Sequence, residues 1–217
     1  MTFEPVIIAV DGPAASGKGT LARRLAVHFD YAYLDTGSLY RALAYDVLRR
    51  GEAPENASAS LRAAKALDLD MLNDKEILAA LRTDAVATAA SLVAAQPDTR
   101  TAILQIQRDI ADAPPHDKAG AVLDGRDIGT VVCPQAAHKI FVTARAEIRA
   151  ERRWQELQQH DPQVSLTDVL ADLKSRDQRD SARATAPMRA AQDAHLLDTS
   201  DLSIEEAFAA ALELVSH

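Results

Sequence analysis

Short unbroken apolar runs alternate along the chain with longer stretches in which apolar residues return every three or four positions. The first run, Val6-Ile7-Ile8-Ala9-Val10, is largely β-branched and predicts a strand buried on both faces of a parallel sheet. A glycine-rich loop follows, and from Gly17 to Phe29 the residues Leu21, Leu25, Ala26 and Phe29 keep helical spacing. Ala32-Tyr33-Leu34 reads as a second strand ending at Asp35. Gly37 to Arg50 reads as a helix through Leu39, Leu43, Val47 and Leu48, with Gly51 as its stop.

From Ala53 to Ala113 the texture becomes Ala-rich and poor in β-branched residues, which predicts a helical insertion between strands. Asn56-Ala57-Ser58 is placed to cap one helix, and Asp84 to Ala95 and Pro97 to Ala111 predict two more. Met71 to Leu78 is ambiguous between strand and helix, without a hairpin signal. Pro114-Pro115-His116-Asp117 closes the insertion with a turn. Ala121-Val122-Leu123, ending at Asp124, and Lys139-Ile140-Phe141-Val142 are further strands, and Leu196-Leu197 is a last short one. Between them Arg145 to Gln159 and Ser165 to Arg183 form a polar, Arg-rich helical pair, a pattern suited to a flap. Ser203-Ile204-Glu205-Glu206 is a capping box opening a final helix to about Val215. Five short buried strands alternating with helices define an α/β fold with a mainly parallel sheet.

Composition narrows the function. With 24 Lys and Arg against 32 Asp and Glu among 217 residues the net charge is −8, which disfavours binding of polymeric nucleic acid or anionic membranes. The single cysteine, Cys133, excludes an internal disulfide and a Cys cluster for zinc, and is expected to be a small buried filler in a cytoplasmic protein. The start of the chain lacks the charge pattern of a signal peptide, and no apolar run is long enough to span a membrane. His28, His116, His138, His160, His195 and His217 are scattered without ligand spacing, and Tyr31 and Trp154 read as packing or flap-edge aromatics. Among the cations 6 are Lys and 18 are Arg, and 8 of the Arg lie between Arg145 and Arg189. One such Arg is ordinarily a solvated surface residue; so many together suit planar recognition of phosphate or carboxylate.

Two motifs carry chemistry. Gly12-Pro13-Ala14-Ala15-Ser16-Gly17-Lys18-Gly19-Thr20 fits the phosphate-binding G-x-x-x-x-G-K pattern between a strand and a helix, as that loop requires. Its backbone N–H groups, the helix N-terminus and Lys18 all favour a polyphosphate anion. Gly19 replaces the usual Ser or Thr, and the hydroxyl moves to Thr20. The second motif is Asp124-Gly125-Arg126-Asp127, at the end of a buried strand where phosphate-loop proteins place the acid that holds Mg2+ directly or through water. Asp124, through water, and Thr20 are the expected metal contacts.

Ile8-Ala9-Val10-Asp11-Gly12-Pro13, Gly17-Lys18-Gly19-Thr20, Leu34-Asp35-Thr36-Gly37, Tyr40-Arg41, Asp124 to Val132 and Arg176 to Arg183 together resemble bacterial cytidylate kinases, in the nucleoside monophosphate kinase group. The resemblance runs nearly end to end. It implies a P-loop core of residues 1–35 and 118–217 built on a five-stranded parallel sheet, an NMP-binding insertion at 36–117 and an Arg-rich helical lid at 150–183. It implies phosphoryl transfer from ATP, with Mg2+, to CMP or dCMP in a monomer. By the same resemblance Arg41 and Arg126 hold the CMP phosphate, and Lys18, Arg126, Arg176, Arg179 and Arg183 are the catalytic cations. Thr36, Tyr40, Ser91, Arg100 and Asp127 complete the CMP site, with Ser91, Arg100 and Asp127 on the base, Asp180 on the sugar hydroxyl and Arg183 closing over the nucleotides. The segment between Leu67 and Thr83 is shorter than the β-rich insert usual in these kinases.

The chemistry agrees with these residue types on other grounds. A phosphate acceptor is already an anion near neutral pH, its second pKa being about 6, so positioning and charge neutralisation are what remain to be done. A P-loop kinase for another acceptor, such as UMP, AMP or a small hydroxyl substrate like shikimate or gluconate, is the alternative; a hydroxyl would require a base. A nucleotide-dependent switch is a further rival, against which stands the absence of an Asn-Lys-x-Asp motif.

Overall fold

The computed structural model describes residues 4–159 and 161–216; His160 and His217 lie outside them. The chain divides into two compact units, one formed by the chain up to Leu34 and from Ile110 on, the other by Asp35–Asp109.

In the first unit, β1 (Val6–Asp11) lies at the centre of a five-stranded sheet of order β2-β3-β1-β4-β5, with β2 Ala32–Asp35, β3 Gly120–Gly125, β4 His138–Thr143 and β5 His195–Asp198. β1 runs parallel to β3, with Val10 opposite Asp124, and parallel to β4, which in turn runs parallel to β5. This register sets the ends of β1 and β3 side by side, so the phosphate loop after β1 and the Asp-Gly-Arg-Asp segment of β3 leave the same edge of the sheet.

Helix α1 (Lys18–Phe29) buries Leu21, Ala22, Leu25 and Ala26 against Ile8, Val10, Val122, Ile140 and Val142, and α9 (Ile204–Val215) adds Ala211 and Val215. Each such large side chain contributes about 1.5–3 kcal/mol when fully buried, which holds the sheet edge rigid beneath the loops. The capping box at Ser203 and Glu206 forms as its pattern predicts. β5 departs from expectation. It is an edge strand with only Leu197 buried, and Leu196, which points to the opposite face of the sheet, is exposed.

Helices α7 (Ala146–Gln158) and α8 (Leu166–Ser181) pair through Ala150, Val169 and Leu173, with Trp154, Leu157 and Leu170 around them. Ala14 and Ala15 of the glycine-rich loop pack on this seam, so the polar pair has an apolar footing on that loop. Trp154 is a packing residue of the pair, its indole N–H donating to Val164 O at 3.0 Å.

The second unit is helical. It contains α2 (Thr36–Arg49), α3 (Ala57–Lys65), a 3-10 turn at Leu69–Asn73, α4 (Lys75–Ala80), α5 (Asp84–Val93) and most of α6 (Pro97–Asp112). α2 stops as predicted: Gly51 has φ 70, and Gly51 and Glu52 N–H return to Leu48 and Val47 carbonyls. Asn56 caps α3 by accepting from Ser58 and Ala59 N–H. The ambiguous Met71 to Leu78 stretch is 3-10 turn and helix, because Asp68 and Asp74 accept from the first N–H groups of each and start them locally. No described helix is long and apolar enough to cross a membrane.

Candidate active site

The loop between β1 and α1 is shaped by two glycines. Gly12 has φ 145, and a Cβ there would stand 2.0 Å from Val142 O; Gly17 has φ 86 and caps α1. The helix therefore begins at Lys18, with its N-terminus at the loop. Lys18 Nζ lies 3.6 Å from Asp124 Oδ1, and Tyr33 Oη lies 3.3 Å from Asp124 Oδ2. The Gly19 backbone faces the same carboxylate: a Cβ on it would stand 2.9 Å from Asp124 Oδ2. Thr20 follows, exposed, and lines a cavity of about 450 Å³ with Ala15, Gly17, Arg24, Arg152 and Thr199.

Asp124, one residue before the end of β3, is 5 % exposed, and Asp127, also 5 % exposed, leads into a π-helical turn at Ile128–Val132. That turn is pinned from β1. Asp11 accepts from Ile128 N and Gly129 N, each at 2.8 Å, and burial pushes its carboxyl up to about 7, against the pull of those two N–H groups and with some help from Asp127 and Asp124. Cys133 closes the same turn, its N–H donating to Ile128 O at 2.7 Å; it is half-buried and not the buried filler expected, because the chain there is leaving the turn for the surface.

Arg126 donates from Nη1 to Gly125 O at 3.0 Å and from Nε to Asp180 Oδ2 at 3.3 Å, and Arg183 Nη2 bonds the other oxygen of Asp180. These three predicted site residues form one cluster. Arg176 and Arg179 lie one turn apart on α8, both half-buried; Arg179 Nη2 lies 3.4 Å from Ser175 Oγ, while its buried Nη1 has no hydrogen-bond partner among the described residues. Arg149, absent from the sequence-based set, ties the α7–α8 pair to the loop: it bonds Ala144 O at 2.9 Å, Ala14 O at 3.2 Å and Asp177 Oδ2 at 2.7 Å.

In the second unit Asp35 caps α2 by accepting from Ser38 N at 3.2 Å and pairs with Arg41 at 2.6 Å, so Arg41 is held at the helix start. Thr36 is the first residue of α2 and is buried. Arg100 on α6 is 7 % exposed, with its guanidinium 5.5 Å from the Tyr40 ring centroid and Nη1 3.2 Å from Ala94 O; Ser91 on α5 is 4 % exposed. A buried Arg over a buried Tyr is not a surface cation.

Residues 8–217 match the family model described as cytidylate kinase. The chain belongs to the cytidylate kinase family. It is 56 % identical over 212 residues to the cytidylate kinase of Rhodospirillum rubrum, covering 98 % of both chains, and 54 % identical to that of Azorhizobium caulinodans, covering 97 % of this chain and 98 % of that one. The cytidylate kinase of Brucella suis is 51 % identical over 98 % of this chain and 94 % of its own. Among solved structures, shikimate kinase from Bacteroides thetaiotaomicron superposes with a TM-score of 0.52 at 13 % identity, covering 98 % of this chain and 99 % of that one, a likeness of fold alone.

Family membership directs attention to contacts that lie outside the recognised motifs. Tyr33 sits inside an ordinary strand pattern, and nothing in the sequence separates it from a packing aromatic. Arg149 and Arg152 are two of three Arg on α7, and Thr199 follows β5 in an unremarkable turn. Asp11 lies within the segment Ile8 to Pro13 that carries the resemblance, and it is a carboxylate ending an otherwise apolar strand directly before the loop.

Proposed function

We propose that this kinase transfers the γ-phosphoryl group of ATP to the phosphate of CMP or dCMP, giving ADP and CDP or dCDP. The observation that carries the reading is the meeting of Lys18 with Asp124 beside the phosphate loop, in a chain of the cytidylate kinase family. Gly12 to Thr20 hold the ATP phosphates, and Lys18 places a cation on the outer ones. The cavity beside Thr20, lined by Arg24, Arg152 and Thr199, offers room for the rest of the nucleotide.

The donor set suits Mg2+. Asp124 is a hard oxygen donor next to the phosphate loop, and Mg2+ is commonly held by one or two carboxylates together with substrate phosphates. Mg2+ bound there with ATP neutralises charge on the phosphates. Asp124, through water, and Thr20 would hold it.

The remaining residues position the acceptor. Arg41 and Arg126 hold the CMP phosphate, while Thr36 and Tyr40 line its site. Ser91, Arg100 and Asp127 read cytosine, whose exocyclic amine is a donor and whose N3 and O2 are acceptors. Asp180 contacts the sugar hydroxyl and fixes Arg126 and Arg183, which with Arg176 and Arg179 surround the transferring group. Residues 36–117 act as the NMP-binding insertion and 150–183 as the lid on a core of 1–35 and 118–217. The enzyme works as a cytoplasmic monomer on free nucleotides, not on polymeric nucleic acid or at a membrane. An ADP-release assay with Mg-ATP and CMP, dCMP, UMP, AMP, GMP, shikimate and gluconate tests the reading: marked preference for CMP and dCMP is expected, and turnover with another acceptor overturns it.

A further inference from the structure

The turn after β5 carries no recognised motif, yet Thr199 in it is only 4 % exposed and joins three parts of the core. Its backbone N–H donates to Thr143 O at the end of β4, at 2.9 Å. Its Oγ1 lies 2.9 Å from Ser16 O in the phosphate loop and 3.2 Å from Thr143 O. The hydroxyl has one proton to give. Thr143 O already takes the backbone N–H and is the more distant, so the proton goes to Ser16 O. From the other side Arg152 of α7 donates Nη1 to Thr199 Oγ1 at 3.1 Å and Nη2 to Thr199 O at 2.6 Å. The same guanidinium comes within 3.9 Å of the Cβ position of Gly17.

The turn is itself anchored. Ser200 Oγ accepts from Arg145 N at 2.8 Å, Ser200 N donates to Asp198 Oδ1 at 2.8 Å, and the Arg145 guanidinium takes both oxygens of Asp201 at 2.6 and 2.8 Å. Thr199 thus presents its hydroxyl from a fixed backbone.

What it fixes is the peptide between Ser16 and Gly17. A trans peptide is planar, so a carbonyl held toward Thr199 fixes the Gly17 N–H in the opposite direction. Gly17, at φ 86, has the freedom that lets such a peptide turn over, and a turned-over peptide would aim a carbonyl oxygen where the loop needs a donor. Resting on the kinase reading above, we propose that Thr199 is a positioning residue for ATP: its hydroxyl locks the Ser16-Gly17 peptide and ties the phosphate loop to β4 and to Arg152 of the lid.

The experiment is calorimetric titration with ATP, beside steady-state kinetics, on wild type, Thr199→Val and Thr199→Ser. Val keeps the shape and removes the hydroxyl; ATP binding and KM for ATP should weaken about tenfold, as for a buried acceptor left without its donor. KM for CMP should stay within about twofold, and Ser should restore ATP binding. Unchanged ATP affinity in the Val variant, equal impairment in Val and Ser, or matching rises in both KM values would overturn the proposal. Should the Val variant not fold, Thr199→Ala, which fits wherever Thr fits, gives the same comparison. If wild type transfers nothing to CMP, the kinase reading fails, while the ATP titration still decides the role of Thr199.

Discussion

Asp180 accepts from Arg126 Nε at 3.3 Å across 54 residues of sequence, and its second oxygen holds Arg183. Two guanidinium groups that would repel each other are thereby kept together by one carboxylate at 5 % exposure. Asp180→Asn keeps the shape and removes the charge, so both cations should lose their common anchor. The expected outcome is a fall in kcat of about tenfold or more, or at least about 1.4 kcal/mol of transition-state stabilisation. Arg183→Ala should likewise lower kcat far more than it weakens ATP binding. Steady-state kinetics with CMP checks both; an unchanged kcat in Asp180→Asn would show that the two arginines are placed by other contacts.

Gly19 gives the departure from the usual phosphate-loop pattern a physical reason. Its missing side chain leaves the space in which Asp124 Oδ2 sits, since a Cβ would come within 2.9 Å of that oxygen. Gly19→Ala should therefore displace the carboxylate while leaving the helix at least as favourable, Ala being the better helix former by about 1 kcal/mol. The Mg2+ concentration giving half-maximal rate should rise several-fold with little change in thermal midpoint. Equal Mg2+ dependence in the two proteins would mean that Asp124 does not serve the metal.

Asp127 is aimed by the π-helical turn, whose Val131 and Val132 N–H groups both return to its carbonyl, at 2.9 and 3.2 Å. Asp127→Ala should raise KM for CMP by about tenfold or more, the loss of a charge-assisted hydrogen bond, and leave KM for UMP, the expected poorer acceptor, near its starting value. Parallel losses for CMP and UMP would make Asp127 a structural residue.

Much of this was legible in the chain because its signals are local. The phosphate loop is a contiguous string between two strongly patterned elements, and the caps at Asn56 and Ser203 act on N–H groups two or three residues away. What could not be read joins residues far apart in sequence: Asp11 to Gly129, Arg149 to Ala14, Thr199 to Ser16. No periodicity announces such bonds. The segment near Met71 was ambiguous for another reason. Its apolar positions are too few to define a period, and the decision rested with Asp68 and Asp74, whose capping role shows only when the N–H groups they accept are known.

Asp11 gives a pH dependence of stability with a definite sign. Its carboxyl has an ordinary value of 3.8 in the unfolded chain and is pushed up to about 7 in the fold, chiefly by burial, with Asp127 and Asp124 acting in the same direction. Between those values the folded protein keeps a proton that the unfolded chain has lost, so unfolding releases it and stability falls as pH rises through this window. Below 3.8 the group is protonated in both states, and above about 7 it is ionised in both, so it adds no slope there. Within the window the slope approaches about 1.4 kcal/mol per pH unit. Asn at this position cannot titrate, though its amide can accept from only one of the Ile128 and Gly129 N–H groups. Asp11→Asn should thus be less stable at pH 5 by about 1–3 kcal/mol, the loss from one buried donor left unpaired, and the gap should narrow toward pH 8. Urea unfolding of both proteins without nucleotide, at intervals from pH 5 to 8, measures the gap; a constant difference would show that Asp11 is ionised in the fold throughout that range.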